Sequence, residues 1–183
     1  MKENLKESRY RHSLGVEDMA VRLAEIHGGD REKAAFAGRY HDIAKNFDQE
    51  RMDECVIRYG LDEGLIGNNA LAHSKVGAAI LENEFGVDDE DILNAVRFHT
   101  TARRGMSLLE QTVFVADVVE DNRTYTDLEY YQQLACADLD QAALEILDYT
   151  VGDLNSKGRE IDPDTLEARD WVREKIKERK NGK

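Results

Sequence analysis

The sequence predicts an all-α fold, one helical bundle occupying residues 1–183 as a single domain. Three observations predict it: one proline in 183 residues, few β-branched runs, and apolar positions that recur at helical spacing in segment after segment. The first helix is expected over 5–27, where Leu5, His12, Val16, Met19, Ala20, Leu23 and Ala24 share a stripe. Gly28-Gly29 ends it, and Asp30 is a fair N-cap for a second helix reaching about residue 45. Asp48 opens a third, which stops near Gly60, and the Gly- and Asn-rich stretch GLIGNN leads to a fourth over 70–85. Asp88 to Asp91 suit the start of a fifth, because the helix dipole favours negative charge there; it runs to about His99. TTARRGMS reads as a loop, followed by helices over about 107–120, 127–136 and 138–155. Lys157-Gly158-Arg159 is a further loop. Asp162-Pro163 supplies a cap and a first-turn proline for a final helix, about 163–180, expected to pack on a core of about 5–155.

Composition excludes several classes. The chain carries 25 basic and 38 acidic side chains, a net charge of −13. That argues against a grip on long nucleic acid, which needs a basic footprint, and against an anionic membrane surface. Charges break every apolar stretch well short of the ~20 residues that span a bilayer. The charged start MKENLKESRYRH has no apolar signal region, and Cys55 and Cys136 form no paired motif, so a cytoplasmic chain with reduced thiols is expected.

The informative feature is where the histidines fall. Four of the five sit on the apolar stripes of separate helices: His12, His41, His73 and His99. His41 is followed at once by Asp42, and Asp117 lies inside the apolar run FVADVV. One such histidine is ordinarily a hydrogen-bonded core residue, and one such aspartate could pair with an arginine. Taken together they need many separate partners in one small core, whereas a shared metal ion satisfies them all, since imidazole and carboxylate are its usual ligands. His27, at the end of the first helix, suits the C-terminal dipole and is given no further role.

The ordered set His12, His41-Asp42, Asp117 resembles the H…HD…D signature of the HD-domain metal-dependent phosphohydrolases. The segments YHDIAK, LAHSKVGA, FHTTARRGMS, VFVADVVEDNR and IDPDTLEARD resemble, in the same order, those of the YqeK group within that superfamily. The resemblance covers nearly the whole chain and implies an HD-type bundle. It also implies a symmetrical tetraphosphatase that cleaves diadenosine tetraphosphate to two ADP, with iron as the metal and manganese or another divalent ion as the alternative. One departure is Gly38-Arg39-Tyr40, where leucines commonly lead into the HD pair; altered packing beside the metal is expected there.

On this reading His12, His41, Asp42 and Asp117 are the metal ligands, and four donors leave open positions on a six-coordinate ion. Asp42 could also bridge a second ion. His73 and His99, with Asp42, are the catalytic candidates. The resemblance turns the two histidines toward substrate, to contact phosphate or protonate the leaving group; the rival reading makes them ligands of a second metal. Arg9, one helical turn before His12, and Arg123, in the turn after the Asp117 helix, are expected to bind phosphate, as is Arg103 in the loop after His99. Lys45, Lys75 and Arg104 are read as solvated charges. Glu160, Ile161, Asp162, Pro163, Asp164 and Thr165 resemble the family's nucleotide-contacting loop. The expected partner is a small dinucleoside polyphosphate, and a homodimer is compatible with the sequence. Two rivals stand beside this function: an HD-type nucleotidase or phosphodiesterase for another nucleotide, and a nucleotide-sensing module with a vestigial site.

Overall fold

The structure is a computed structural model that describes residues 5–182; residues 1–4 of the charged start and Lys183 lie outside it. Among the described residues there are nine α-helices and no strand. They are α1 (Glu7–His27), α2 (Arg31–Tyr40), α3 (Gln49–Arg58), α4 (Asn69–Phe85), α5 (Glu90–Arg97), α6 (Leu108–Val119), α7 (Leu128–Ala137), α8 (Leu139–Ser156) and α9 (Pro163–Asn181). One short 3-10 turn, Glu63–Leu65, falls where the sequence suggested plain loop.

Local chemistry sets most of these ends. The side chains of Asp30, Asp48, Asn68, Asp89, Ser107, Asp138 and Asp162 each accept from a backbone N–H in the first turn of the helix that follows. Gly28 and Gly86 close α1 and α4 in the left-handed conformation that glycine adopts without strain.

Helix α6 is the central element. It packs on α1, α2, α5, α7 and α8, and its residues 109–116 are all buried. A helix apolar nearly all round belongs in the middle of a bundle. The partners α1 and α2 flank it on one side, α4 covers α5, and α9 lies on α8. Ala168, Val172 and Ile176 of α9 join the same core as Val16, Met52, Val96 and Val113.

Two of the boundaries that differ from expectation lie at the site. Helix α2 ends at Tyr40 rather than near residue 45. From there the backbone tightens into turns, with Ile43 N–H donating to Tyr40 O (3.1 Å), Lys45 to Asp42 O (2.9 Å) and Phe47 to Ala44 O (3.1 Å). Helix α5 ends at Arg97, Phe98 caps it, and His99 stands just beyond. In both places a ring takes the helix's last free carbonyls: His41 Nδ1 donates to Gly38 O and His99 Nδ1 to Val96 O, each at 2.7 Å.

The unusual lead into the HD pair has a packing reason. A Cβ on Gly38 would meet Glu17 Cα and Val16 O at 3.0 Å, so its missing side chain lets α2 lie against the α1 backbone. Arg39 then pairs with Glu17 (2.5 Å), and Tyr40 stacks on Phe36 with centroids 4.7 Å apart.

Candidate metal centre

Six side chains from five places in the chain converge at the centre of the bundle. His12 comes from α1, His41 and Asp42 from the turn after α2, His73 from α4, His99 from the end of α5, and Asp117 from α6. All four rings are buried, as is Asp42, while Asp117 is partly open. His12 Nε2 lies 2.9 Å from Asp117 Oδ1 and 3.9 Å from Asp42 Oδ2. His41 Nε2 lies 3.3 Å from Asp42 Oδ2 and 3.7 Å from Asp117 Oδ1. On the other oxygen, Asp42 Oδ1, stand His73 Nε2 (3.3 Å) and His99 Nε2 (3.5 Å).

The second ring nitrogens decide what these contacts mean. His41, His73 and His99 direct Nδ1 at the carbonyls of Gly38, Asn69 and Val96 (2.7, 3.1 and 2.7 Å), and His12 Nδ1 meets Glu120 Oε1 at 3.1 Å. Carbonyls and carboxylates only accept, so Nδ1 is a protonated atom in each ring, and each Nε2, which carries a lone pair when the ring is neutral, faces inward. His12 Nε2, His41 Nε2 and Asp42 Oδ1 are buried without an aligned hydrogen bond. Inward ring nitrogens and carboxylates left without partners are a donor set that suits a cation between them.

The rings and carboxylates also shift one another's proton affinity. Burial pulls the His41 ring down, but the charge of Asp42, helped by Asp117, overrides it, and the ring gains proton affinity. Burial pushes Asp42 up, yet the His41 charge and contacts with His41, His73 and His99 hold it well below the usual carboxylate range. Asp117 is likewise held down against burial, through His12 and then His41. Burial also depresses His99 to about 4, with the His41 and His73 charges adding to it against the pull of Asp42. Sets such as His12, His41 and Asp42, or Asp42, His73 and His99, offer ligand atoms within 4.8 Å of one another.

Cations rim the cluster. Arg9 Nη1 reaches Asp42 Oδ2 at 2.6 Å, and Arg123 Nη2 reaches Asp117 Oδ1 at 2.8 Å. Lys45, expected to be a solvated charge, instead places Nζ 3.0 Å from His73 Nε2 and 4.0 Å from Asp42 Oδ1. Thr100 Oγ1 donates to the same His73 nitrogen at 3.2 Å. Lys75 is also inside, over the Phe98 ring at 3.8 Å and 3.7 Å from Asp164; burial lowers its pKa against that carboxylate. Arg104 is exposed, as expected.

The 160–165 segment is drawn to this side by Lys75–Asp164 and by Thr165 Oγ1, which donates to Thr101 O at 3.0 Å. Asp162 caps α9 through Asp164 N–H, with Pro163 in the first turn. Arg103 is committed elsewhere: it forms a two-pronged pair with Glu110 at 2.8 and 2.6 Å. His27 Nε2 donates to Ala135 O (2.7 Å), tying α1 to α7 rather than serving only its own helix end.

Sequence reasoning missed Glu120. It is buried, accepts from His12 Nδ1, and is itself held by Asn122 N–H (2.7 Å) and Asn122 Nδ2 (2.8 Å). Gly15 makes room for this arrangement: a Cβ there would overlap Glu120 Oε2 and lie 2.6 Å from Asn122 Nδ2. The available signal was an acid one turn beyond Asp117 at the end of an apolar helix.

Residues 9–122 match the family model of the HD domain. The chain belongs to the HD domain family. This membership carries a dependence on a divalent metal, which the convergent donors fit. Among HD relatives, the chain is 39% identical over 173 residues to "Bis(5'-nucleosyl)-tetraphosphatase, symmetrical" of Bacillus subtilis, covering 94% of this chain and 93% of that one. It is 40% identical over 168 residues to the protein of the same name from Halalkalibacterium halodurans, covering 91% and 89%. Its fold matches a crystal structure from Clostridium acetobutylicum, described as a "predicted HD superfamily hydrolase involved in NAD metabolism". The TM-score is 0.89 at 40% identity, over 94% of this chain and 93% of that one.

Proposed function

We propose that this chain hydrolyses diadenosine tetraphosphate symmetrically to two ADP. The observation that carries the reading is the set of inward Nε2 lone pairs and carboxylates on a cation-rimmed centre. Two relatives about 40% identical over nearly the whole chain carry the name of that activity. His12, His41, Asp42 and Asp117 would hold the metal, and the resemblance of the chain to its family favours iron. A metal held there would supply a water of lowered pKa and positive charge against the non-bridging phosphate oxygens.

The remaining roles belong to side chains. Lys45 already places an ammonium beside His73 and Asp42 Oδ1, where a second metal would otherwise sit, which favours one ion. Lys45, His73 and His99 meet phosphate oxygens on that side. Arg9 and Arg123 release part of their hold on Asp42 and Asp117 to do so on the other, using the guanidinium's planar fork. Residues 160–165 take one nucleoside, with Asp164 fixed by Lys75 and Arg103 setting the adjoining loop through Glu110. The chain is expected to act in the cytoplasm.

Product stoichiometry tests this. Protein purified anaerobically and loaded with iron or manganese should give two ADP per diadenosine tetraphosphate. ATP plus AMP, turnover of NAD in preference, or no turnover with either metal sinks it. His12→Ala should lose stoichiometric metal.

A further inference from the structure

Symmetric cleavage sets a geometric demand. The bond broken lies at the middle of the tetraphosphate, so a nucleoside extends from the centre in each of two directions. Only one direction is met by the 160–165 segment, which is tied to Lys75 and to Thr101. The other half has to leave past Arg9 and Arg123. A polar cleft of about 200 Å³ opens there, lined by Arg9, His12, Glu120 and Arg123 among others.

Next along the chain is a second cavity. It holds about 360 Å³ and is lined by Val118, directly after Asp117, and by Tyr125, two residues after Arg123. We propose that this tyrosine pocket is the subsite for the second nucleoside, binding its base and ribose. The inference rests on the function proposed above.

The walls suit that ligand. Tyr125, Tyr131 and Tyr149 surround an apolar floor of Val118 and Ile146. The walls are pre-set: Tyr125 OH donates to Val118 O at 2.6 Å, and Tyr131 meets the Tyr125 and Tyr130 rings edge-on, with centroids 6.4 and 5.2 Å away. Tyr149 is nevertheless 68% exposed and Tyr125 39%. Clustered exposed aromatics are costly unless something covers them, and every nucleobase has a face that stacks on tyrosine. Asp127 lines the same cavity at the N-cap of α7 yet makes no cap hydrogen bond, leaving its carboxylate to accept from ribose hydroxyls. The lining has no cation, as expected for the uncharged end of a polyanion. The volume falls in the range of small-molecule sites.

The test compares two substrates in the metal-loaded protein: diadenosine tetraphosphate, and adenosine 5'-tetraphosphate, which has no second nucleoside. Tyr149→Ala should lower the ratio of their kcat/KM values about tenfold, the scale of one lost base stack. Tyr131→Leu should do the same if it keeps the wild-type circular dichroism, and Tyr149→Ala, being largely exposed, decides alone if it does not. A hydrolysis-resistant methylene-bridged analogue should show the same drop in affinity by calorimetry. An unchanged ratio in a wild-type background that turns over diadenosine tetraphosphate overturns the subsite and leaves the function standing. A wild type inactive on that substrate overturns the function, and the subsite with it. If the protein is a dimer that Tyr149→Ala dissociates, with the ratio unchanged, the pocket belongs to a second copy and the proposal falls.

Discussion

The histidine tautomers are set one contact away from the donors themselves, and Glu120 shows how much rides on that contact. Remove its carboxylate, and His12 loses the acceptor that keeps the proton on Nδ1 and the lone pair on Nε2. Glu120→Ala should therefore weaken metal binding by about 10–100-fold, the usual cost of a lost partner behind a ligand histidine. Glu120→Gln keeps an acceptor oxygen and should recover most of that loss. Calorimetric titration of the apo proteins with manganese checks both, and equal affinities for wild type and Glu120→Ala would refute the role. The convergence of His12, His41, Asp42 and Asp117 was legible in the sequence because polar groups on apolar stripes announce themselves. Glu120 was not, because an acid just past a helix end looks the same whether it meets water or a buried ring. Lys45 was misread for a related reason: its stem follows the tight turn after α2, and no periodicity argument foresees a turn.

At the level of elements, caps and stripes placed all nine helices, since each signal is local. The two boundaries that moved at the site lie where tertiary demands win: α2 and α5 each stop so that a histidine can face the centre. The Gly38 contact is the clearest case of packing that the sequence shows only as a departure. Gly38→Ala would push a methyl group into the α1 backbone at Val16 and Glu17, which cannot swing aside as a side chain tip would. The expected cost is about 1–3 kcal/mol, typical of overpacking, and the separation of α1 and α2 would carry His12 away from His41. Urea unfolding should show the loss in stability, and the metal affinity should fall with it; a variant as stable as wild type would show the helices to be free to part. The junction of α7 and α8 makes a different prediction. Asp138 caps α8 and pairs with Arg179 of α9. Burial pushes it up, but the Arg179 and backbone hydrogen bonds outweigh that and leave its pKa lowered. A carboxyl depressed in the folded state stabilises above its unfolded pKa, ~3.9, and loses that contribution as pH falls through the folded value. Asp138→Asn, which keeps a capping oxygen, should cost about 0.5–1 kcal/mol at pH 7, with the gap closing below about pH 4. Denaturant titrations at pH 7 and 3.5 check it, and a gap that widens on acidification would contradict the pairing.

Across the whole molecule, a net charge of −13 coexists with a site read as binding a polyanion, and the distribution of charge reconciles the two. Residues 120–170 carry 14 acids against 4 bases, whereas the centre gathers Arg9, Lys45 and Arg123 on Asp42, His73 and Asp117. Those cations are partly spent on the carboxylates of the centre. Without a metal, a tetraphosphate would compete with Asp42 and Asp117 for the same guanidinium groups, against the repulsion of the surrounding surface. Were His12, His41, Asp42 and Asp117 to hold a divalent ion, its charge would offset the carboxylates and leave Arg9 and Arg123 freer for phosphate. Chelation should then do two things at once. It should lower the thermal midpoint, because an ion that binds only the folded state stabilises it by mass action. It should also weaken binding of a hydrolysis-resistant dinucleoside tetraphosphate by at least about tenfold, since a divalent charge a few ångströms from phosphate in a half-buried site contributes more than about 1.4 kcal/mol. Fluorimetry of unfolding and calorimetry on apo and manganese-loaded protein measure the two effects. In His12→Ala both should vanish, and a dinucleotide affinity that survives chelation intact would mean that the arginines alone bind the substrate. The same surface should keep single-stranded DNA unbound in either state, because a long polyanion meets the acidic exterior as well as the few cations of the cleft.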